Sequence, residues 1–259
     1  MSRYPFGLPV VRRVPRRPAS GTAALFVLGV SPGALQIRWQ RPDGVVAEAL
    51  AVADEPTVFW DGADAGKRVS RWKERVGWRP AWGSVNPAGT NGGAGKHVND
   101  HVLGAFGLTP DDVWFTDCLP TYSVKPGKNS QLDVYHPFAA TQDPPLPDAE
   151  LPLRPSPSQL VSNAVTEEGV ELRKQLLEAD APAVVTLGQE AADVLAALTG
   201  ADRVVLAPDA DYGREHEIAF DGHKLRWTAL TDPANHGDVW QQCHARWVLN
   251  HSAGGVRAE

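Results

Sequence analysis

Cysteine is scarce in this sequence. The chain of 259 residues has two, Cys118 and Cys243, and two thiols cannot build a framework of several disulfides. They also cannot supply every ligand of an iron-sulfur cluster or of an all-cysteine zinc site. We therefore expect free, buried thiols, and we expect neither a metal site nor another cofactor.

Long apolar runs are missing as well. No segment is long enough to cross a bilayer, and the hydrophobic stretch of a secretory signal peptide does not follow the basic N-terminal residues. We expect a cytoplasmic protein without a membrane partner. Because 42% of the residues are hydrophobic, the chain can bury one sizeable core, which predicts a single α/β domain and, most simply, a monomer.

Positive charge is limited, since the formal net charge is -6. A protein that coats nucleic acid nonspecifically needs clustered lysine and arginine, so this charge argues against that class. The basic exception is residues 1–22, which also hold four prolines. They are either an arm that lies along phosphates or a disordered tail. We favour a flexible arm, followed by one domain over residues 23–259.

The segment Ala23–Gly33 is the clearest strand-and-loop unit in the chain. An apolar run that ends in Gly-Val-Ser-Pro-Gly predicts a buried central strand and a tight loop at the edge of an α/β sheet, where ligands bind. Gly29 and Gly33 allow close backbone approach, Pro32 fixes one dihedral angle, and Ser31 offers a small polar group. The structural alternative is a simple turn.

A β-hairpin is predicted inside an insertion over about 35–86. Its strands are Ala34–Gln40 and Val45–Val52, and Arg-Pro-Asp-Gly between them is a turn sequence. We also predict a short strand at Val58–Trp60.

A basic helix follows at Gly66–Arg75, with Lys67, Arg68 and Arg71 around Trp72. Basic residues interleaved with tryptophan suit a nucleic-acid surface. A solvated helix with one core tryptophan is the alternative, and the sequence leaves both open.

Residues Asn86–Gly95 form a glycine-rich loop that leads into a predicted helix over 96–106. Gly93, Gly95 and Lys96 lie at the start of this helix, where backbone N–H groups can bind an anion. The segment lacks the Gly-Lys-Ser/Thr ending of a phosphate-binding P-loop, which disfavours nucleoside triphosphate hydrolysis.

His97 and His101 lie four residues apart on that helix and therefore on one face. The metalloprotease pattern needs a glutamate after the first histidine, and this chain has Val98. We interpret the histidines as polar surface or substrate-facing groups rather than zinc ligands.

The strand predicted over 112–119 ends in a polar pair, Thr116 and Asp117. A carboxylate at the end of an apolar strand is a site candidate, because burial of an unpaired carboxylate is costly. It could instead cap a neighbouring loop. The proline-rich stretch over 120–158 is predicted to be irregular.

The second half of the chain alternates helices and strands. The last strand delivers Asp-Pro-Ala-Asn-His to the sheet edge. The predicted elements are a helix over 166–178, a strand over 183–188, a helix over 189–198, a strand over 224–231 and an amphipathic helix over 238–249.

Together, these motifs resemble those of the uracil-DNA glycosylase superfamily, over most of the chain except the N-terminal arm and the hairpin insertion. The resemblance is carried by Gly29–Gly33, Gly93–Gly95, Asp112–Asp117, Val184–Gln189 and Asp232–Ala234. It implies a three-layer α/β/α sandwich around a mostly parallel four-stranded sheet. It also implies that a base flipped out of DNA enters a pocket at the strand ends, where its N-glycosidic bond is hydrolysed.

Three positions depart from the family pattern. The first loop has Val30 and Ser31 where the family has Asp, Asn or Glu, and serine is a poor base near neutral pH. Asp117 replaces the asparagine that reads uracil, and a carboxylate suits a base with an exocyclic amine. Asp232 replaces the histidine that stabilises charge on the base. Ordinary uracil excision is therefore not expected, and the cysteine count excludes the iron-sulfur branch.

Three hypotheses remain open. The first is an atypical DNA N-glycosylase in which Asp117 reads the base, Ser31 or Asp100 places water, and His236 near Asp232 replaces the missing histidine. The second is a catalytically degenerate binder of an extruded base, and the third is a pocket for free nucleosides or nucleotides. DNA is the expected partner, contacted by the basic helix, the glycine loop and Asn235 of the last loop.

Overall fold

The computed structural model describes residues 2–125, 130–209, 211–233 and 237–254. Its strands are β1 (Leu25–Gly29), β2 (Ala34–Gln40), β3 (Val46–Asp54), β4 (Ser84–Pro87), β5 (Val113–Asp117), β6 (Ala183–Leu187), β7 (Glu215–Phe220) and β8 (His223–Leu230). Its helices are α1 (Ala65–Val76), α2 (Gly93–His97), a π-helical segment (Val98–Leu103), α3 (Gly104–Phe106), α4 (Ser130–Ala140), α5 (Pro157–Glu167), α6 (Gly169–Ala179), α7 (Gln189–Thr199) and α8 (Asp238–Gly254), and short 3₁₀ turns connect several elements.

The main sheet has the strand order β5-β1-β6-β8-β7. The first four strands are parallel, as predicted, and β7 pairs antiparallel with β8. The sheet is therefore mixed and has five strands rather than four. The sequence analysis missed β7, although Asp221-Gly222 before β8 is a hairpin turn signal.

Helices pack against both faces of this sheet because side chains alternate along each strand. In β1, Phe26 and Leu28 join an apolar cluster with α5, α6 and α7. Leu25 and Val27 join a second cluster with the 93–106 helical stretch and α8. Cys118 lies in the first cluster and Cys243 in the second, so both thiols are free and buried, as predicted.

The predicted hairpin is confirmed. β2 and β3 pair antiparallel, and β4 adds a third strand on the other side of β2. The predicted strand at Val58–Trp60 is wrong, since this segment forms a turn in which Phe59 has a φ of 51°. Helix α1 contacts this small sheet and buries Trp72 in a third apolar cluster.

The N-terminal segment is packed along the protein rather than free, which corrects the expectation of a flexible arm. Tyr4 and Phe6 are buried, and the backbone of Arg16 pairs with Phe115 on the outer edge of β5. The arginines of this segment that form ion pairs bind acidic residues of the same chain: Arg12 with Glu168, Arg16 with Asp111 and Arg17 with Glu178. Buried aromatic side chains stabilise this packing more than the prolines favour extension.

Two predictions of secondary structure need correction. The predicted helix over 166–178 is the end of α5 and most of α6, which meet at Glu168. The proline-rich stretch predicted to be irregular contains α4 and the first residues of α5. The glycine at each predicted helix end, Gly107 and Gly200, is left-handed as expected. Among the described residues, no helix combines the length and the apolar character needed to cross a membrane.

Candidate functional site

Four strand ends meet at one edge of the main sheet. Gly29 and Asp117 are register partners at the ends of β1 and β5. The N–H of Gly188, just after β6, donates to the carbonyl of Leu230 at the end of β8. A Cβ placed on Gly188 would lie 3.2 Å from Val30 and 3.6 Å from Asp232. Segments far apart in sequence therefore form one surface, as the sequence analysis predicted.

A cavity of about 160 Å³ opens at this edge. Four of the predicted site residues line it: Ser31, Pro32, Gly33 and Asp117. The wall is completed by side chains from the loops after β3 and β5, with Glu55, Phe59, Trp60 and Tyr122 among them. This volume lies below the roughly 300–1,000 Å³ of most small-molecule pockets, so the cavity could hold only a small group such as a single planar ring.

The two glycines of the first loop are needed because two carboxylates lie against them. A Cβ on Gly29 would overlap Asp117 Oδ1 and lie 2.7 Å from the ring of Phe59. A Cβ on Gly33 would lie 2.8 Å from Glu55 Oε2. Close approach of backbone to side chain thus explains both glycines.

Glu55, which was not predicted from the sequence, is a further candidate site residue because it also lines the cavity. Its side chain is held by the N–H of Gly33, which donates to Oε1 at 3.0 Å, and only 8% of the residue is exposed. Burial is the main cause that raises the pKa of Glu55 to about 7. Glu55 directly follows β3, so the strand-end argument that identified Asp117 would also have identified it.

Asp117 is the second buried carboxyl group, with 8% of the residue exposed. Burial raises its pKa well above the ordinary value, and the nearby charges of Glu55 and Asp232 raise it further, whereas Arg13 lowers it. Within the described part of the chain, no hydrogen-bond donor reaches its side chain. Asp117 therefore keeps a proton to higher pH than an exposed aspartate does, and in its protonated form it offers both a donor and an acceptor to the cavity.

Aromatic side chains form the apolar wall of the cavity. The ring of Phe59 packs on Phe115 with 5.6 Å between centroids, and Tyr122 stacks on Tyr4 at 5.9 Å. The left-handed backbone of Phe59 is strained for a residue with a large side chain, and such strain is concentrated at functional sites.

Asp100 is not brought to this site. It lies exposed in the π-helical segment and does not line the cavity, so the predicted role in placing water has no support from its position.

The basic helix α1 lies beside the cavity rather than in it. Trp60 of the cavity wall donates from Nε1 to Asp64, which also binds Arg68. Lys67 and Arg71 are exposed. The buried Trp72 is a core residue, which favours the solvated-helix interpretation over a stacking surface.

The glycine loop is used mainly for packing. A Cβ on Gly95 would overlap the carbonyl oxygens of Phe59 and Trp60, so this glycine lets α2 approach the turn behind the cavity. Gly93 lines the cavity, and Lys96 is exposed.

Of the last loop, Asp232 is described and lies close enough to Asp117 to raise its pKa. Asn235 and His236, predicted to bind DNA and to replace the missing histidine, lie outside the described residues.

His97 and His101 face a third histidine instead of the cavity. Their ring centroids are 4.9 Å apart, and the ring of His244 on α8 lies 5.0 Å from His97. Burial and the two other histidines lower the pKa of His244 to about 4. In the described residues, no group of three potential ligands is arranged to hold a metal ion.

A larger cavity lies elsewhere in the described part of the chain. It measures about 800 Å³ and is formed by β7 and the loop after α7, and none of the predicted site residues lines it. No family model matches the chain, and a search of the curated proteins finds no match.

Proposed function

We propose that this protein binds a nucleobase extruded from DNA and hydrolyses its N-glycosidic bond, with Glu55 as general base and Asp117 as the group that binds the base. The observation that carries the proposal is the pair of buried carboxyl groups in one ring-sized cavity at the strand ends. The three-layer sandwich is part of the same proposal, and the helices on both faces of the sheet support it.

Glu55 has the properties of a general base. Its pKa of about 7 lies near neutral pH. A general base is most effective when its pKa is close to the pH at which it works. Glu55 lines the same cavity as Ser31 of the first loop. The Ser31 hydroxyl can position a water molecule, and the Glu55 carboxylate can take a proton from it. The missing acid of the first loop is thus replaced from the loop after β3.

The chemical step balances with these two groups. Glu55 takes a proton from water, the water oxygen bonds to the anomeric carbon, and the bond between that carbon and the ring nitrogen breaks. The departing base takes the electron pair of that bond and receives the proton of Asp117. Transfer of the proton from Glu55 back to Asp117 through solvent restores the site.

A protonated Asp117 broadens the range of bases that the cavity accepts. A carboxylate only accepts hydrogen bonds, whereas a neutral carboxyl group donates one and accepts another. It therefore pairs with an edge that has an amine beside a ring nitrogen and with an edge that has a carbonyl beside an N–H. A base with an exocyclic amine was expected for a carboxylate at this position. With a protonated Asp117, we propose that a base with a carbonyl beside an N–H also fits.

The test is a panel of single-stranded and duplex oligonucleotides that carry uracil, modified cytosines or hypoxanthine, scored for abasic sites. We expect Glu55→Gln to lower the single-turnover rate by about 10²-fold or more, because general base catalysis contributes that much. Glu48→Gln is the matched control, since Glu48 is an exposed carboxylate of β3 paired with Arg38.

The other outcomes are distinct. Base-dependent binding without abasic sites would contradict hydrolysis and favour a protein that only holds an extruded base. Absence of DNA binding, together with a rise in melting temperature on addition of a nucleoside, would favour a pocket for free nucleosides.

A further inference from the structure

Arg13 is a cation that the N-terminal segment brings to the candidate site. Its backbone N–H donates to the carbonyl of Pro120 at 2.7 Å, so it lies beside the chain that leaves β5. Its Nε atom is buried and has no hydrogen-bond partner among the described residues. The neighbouring Arg12 is different, because it forms an ion pair with Glu168.

The surroundings of Arg13 are acidic. Arg13 and Asp117 both line a second cavity, of about 290 Å³, so Asp117 lies between this cavity and the smaller one that contains Glu55. The charge of Arg13 favours the ionised forms of Asp54, Glu55 and Asp117. The segment is held there by Tyr4 and by the N–H of Val11, which donate to the carboxylate of Asp54 at 2.9 and 3.2 Å.

The proposed reaction needs such a cation. Ionised Glu55 and Asp232 place negative charge beside Asp117, where cleavage leaves more negative charge on the departing base. In a site that is largely shielded from water, nearby negative charges disfavour both the ionised form of Glu55 and the negative charge on the leaving group. In the described part of the site, no lysine or histidine lines either of the two cavities.

We propose that Arg13 supplies the positive charge of the hydrolytic site: its guanidinium favours ionised Glu55 and offsets the charge that develops on the departing base. This inference rests on the proposed function, and it gives the N-terminal segment a role in activity. Arg13 acts here as an electrostatic, positioning residue.

The charged and titratable groups that share this environment come from several elements. They are Tyr4, Arg12 and Arg13 of the N-terminal segment, Asp54 and Glu55 at the end of β3, Asp117, Cys118 and Tyr122 at the end of β5 and in the loop after it, Glu168 and Glu171 near α6, and Asp232 after β8. Of these, Arg13 is the group that lowers the pKa of both Glu55 and Asp117.

The experiment compares Arg13→Gln, Arg13→Lys and Arg12→Gln in the full chain. One readout is the carboxyl ¹³C titration of Glu55, assigned with Glu55→Gln, and the other is the pH dependence of single-turnover cleavage. We expect Arg13→Gln to shift the Glu55 titration to higher pH, to move the acid limb of the rate profile with it, and to lower the rate about a hundredfold. Arg13→Lys should retain most of the rate, and Arg12→Gln should leave the titration and the rate unchanged.

The two readouts separate this inference from the proposed function. A Glu55 titration that does not move in Arg13→Gln overturns the role of Arg13, whatever the activity. A wild-type protein that cleaves none of the oligonucleotides overturns the hydrolytic function, and the titration still decides whether Arg13 is coupled to Glu55. Equal losses in Arg13→Gln and Arg12→Gln would indicate a structural effect of the segment and would also overturn the proposal.

Discussion

At the scale of single residues, the proposed chemistry depends on two carboxyl groups that the fold has largely removed from water. Asp117, the last residue of β5, packs its side chain against Gly29 of β1. The side chain of Glu55 accepts a hydrogen bond from the N–H of Gly33. Water would solvate their ionised forms far better than the cavity does, so burial keeps protons on them to higher pH. Groups with such shifted pKa values are expected where proton transfer is the task.

Burial of Glu55 should make the stability of the protein depend on pH. The folded protein keeps a proton on Glu55 up to about pH 7, whereas the unfolded chain loses it near the ordinary value of 4.5. The free energy of unfolding should therefore fall as pH rises through this window, by about 3 kcal/mol from this group. Glu55→Gln should remove the dependence and be more stable than wild type at pH 8, but not at pH 4.

Urea denaturation at the two pH values measures this effect. Glu48→Gln, the exposed control on β3, should change stability equally at both. If Glu55→Gln also has the same effect at both pH values, the raised pKa of Glu55 is wrong.

At the scale of elements, the N-terminal segment joins the two sheets. Its backbone pairs with the outer edge of β5 at Arg16, and Tyr4 binds Asp54 at the end of β3. Phe6 lies within 6 Å, centroid to centroid, of five aromatic rings, which belong to Trp39, Trp72, Trp78, Trp82 and Tyr135. A covered strand edge and a buried aromatic core explain why this basic, proline-containing segment is ordered.

Phe6→Ala should destabilise the protein strongly. Phe6 is 6% exposed at the centre of this aromatic cluster, and loss of a buried phenylalanine costs about 3–5 kcal/mol. Val14→Ala is the control in the same segment, because Val14 is 74% exposed, and it should change stability by less than about 0.5 kcal/mol. Thermal unfolding measures both, and similar shifts for the two variants would contradict the packing of the segment.

At the scale of the whole molecule, the net negative charge limits the contacts that the protein could make with DNA in the proposed function. Several arginines bind acidic residues of the same chain, and the net charge is -6. Contacts with the phosphate backbone should therefore be few, and recognition should depend on an extruded base rather than on the duplex surface.

Salt dependence of DNA binding tests this expectation. The slope of log K against log salt for a duplex without a target base should be no steeper than about -3, the value for roughly three phosphate contacts. Fluorescence anisotropy over a range of salt concentrations measures it. A much steeper slope would indicate an extended phosphate surface, which the charge distribution does not predict.

The parallel strands, the hairpin and the polar groups at the strand ends could be predicted from the amino-acid sequence, because they follow from local periodicity and turn chemistry. The runs before Gly29 and Asp117 each predicted a strand that the structure contains, and Arg-Pro-Asp-Gly predicted the turn between β2 and β3. Local patterns predicted helix boundaries less well. One helix was predicted over 166–178, but the structure has the end of α5 and most of α6 there, with a break at Glu168.

Which of these groups lie close together could not be predicted from the sequence, because it depends on long-range packing. Glu55 reaches Gly33 across 22 residues, and Arg13 lies beside Asp117 although more than 100 residues separate them in sequence. No local pattern encodes such contacts, because they depend on how sheets, loops and the N-terminal segment pack. The raised pKa values of Asp117 and Glu55 also depend on the tertiary structure, because burial and neighbouring charges shift a pKa from the ordinary value of the residue type.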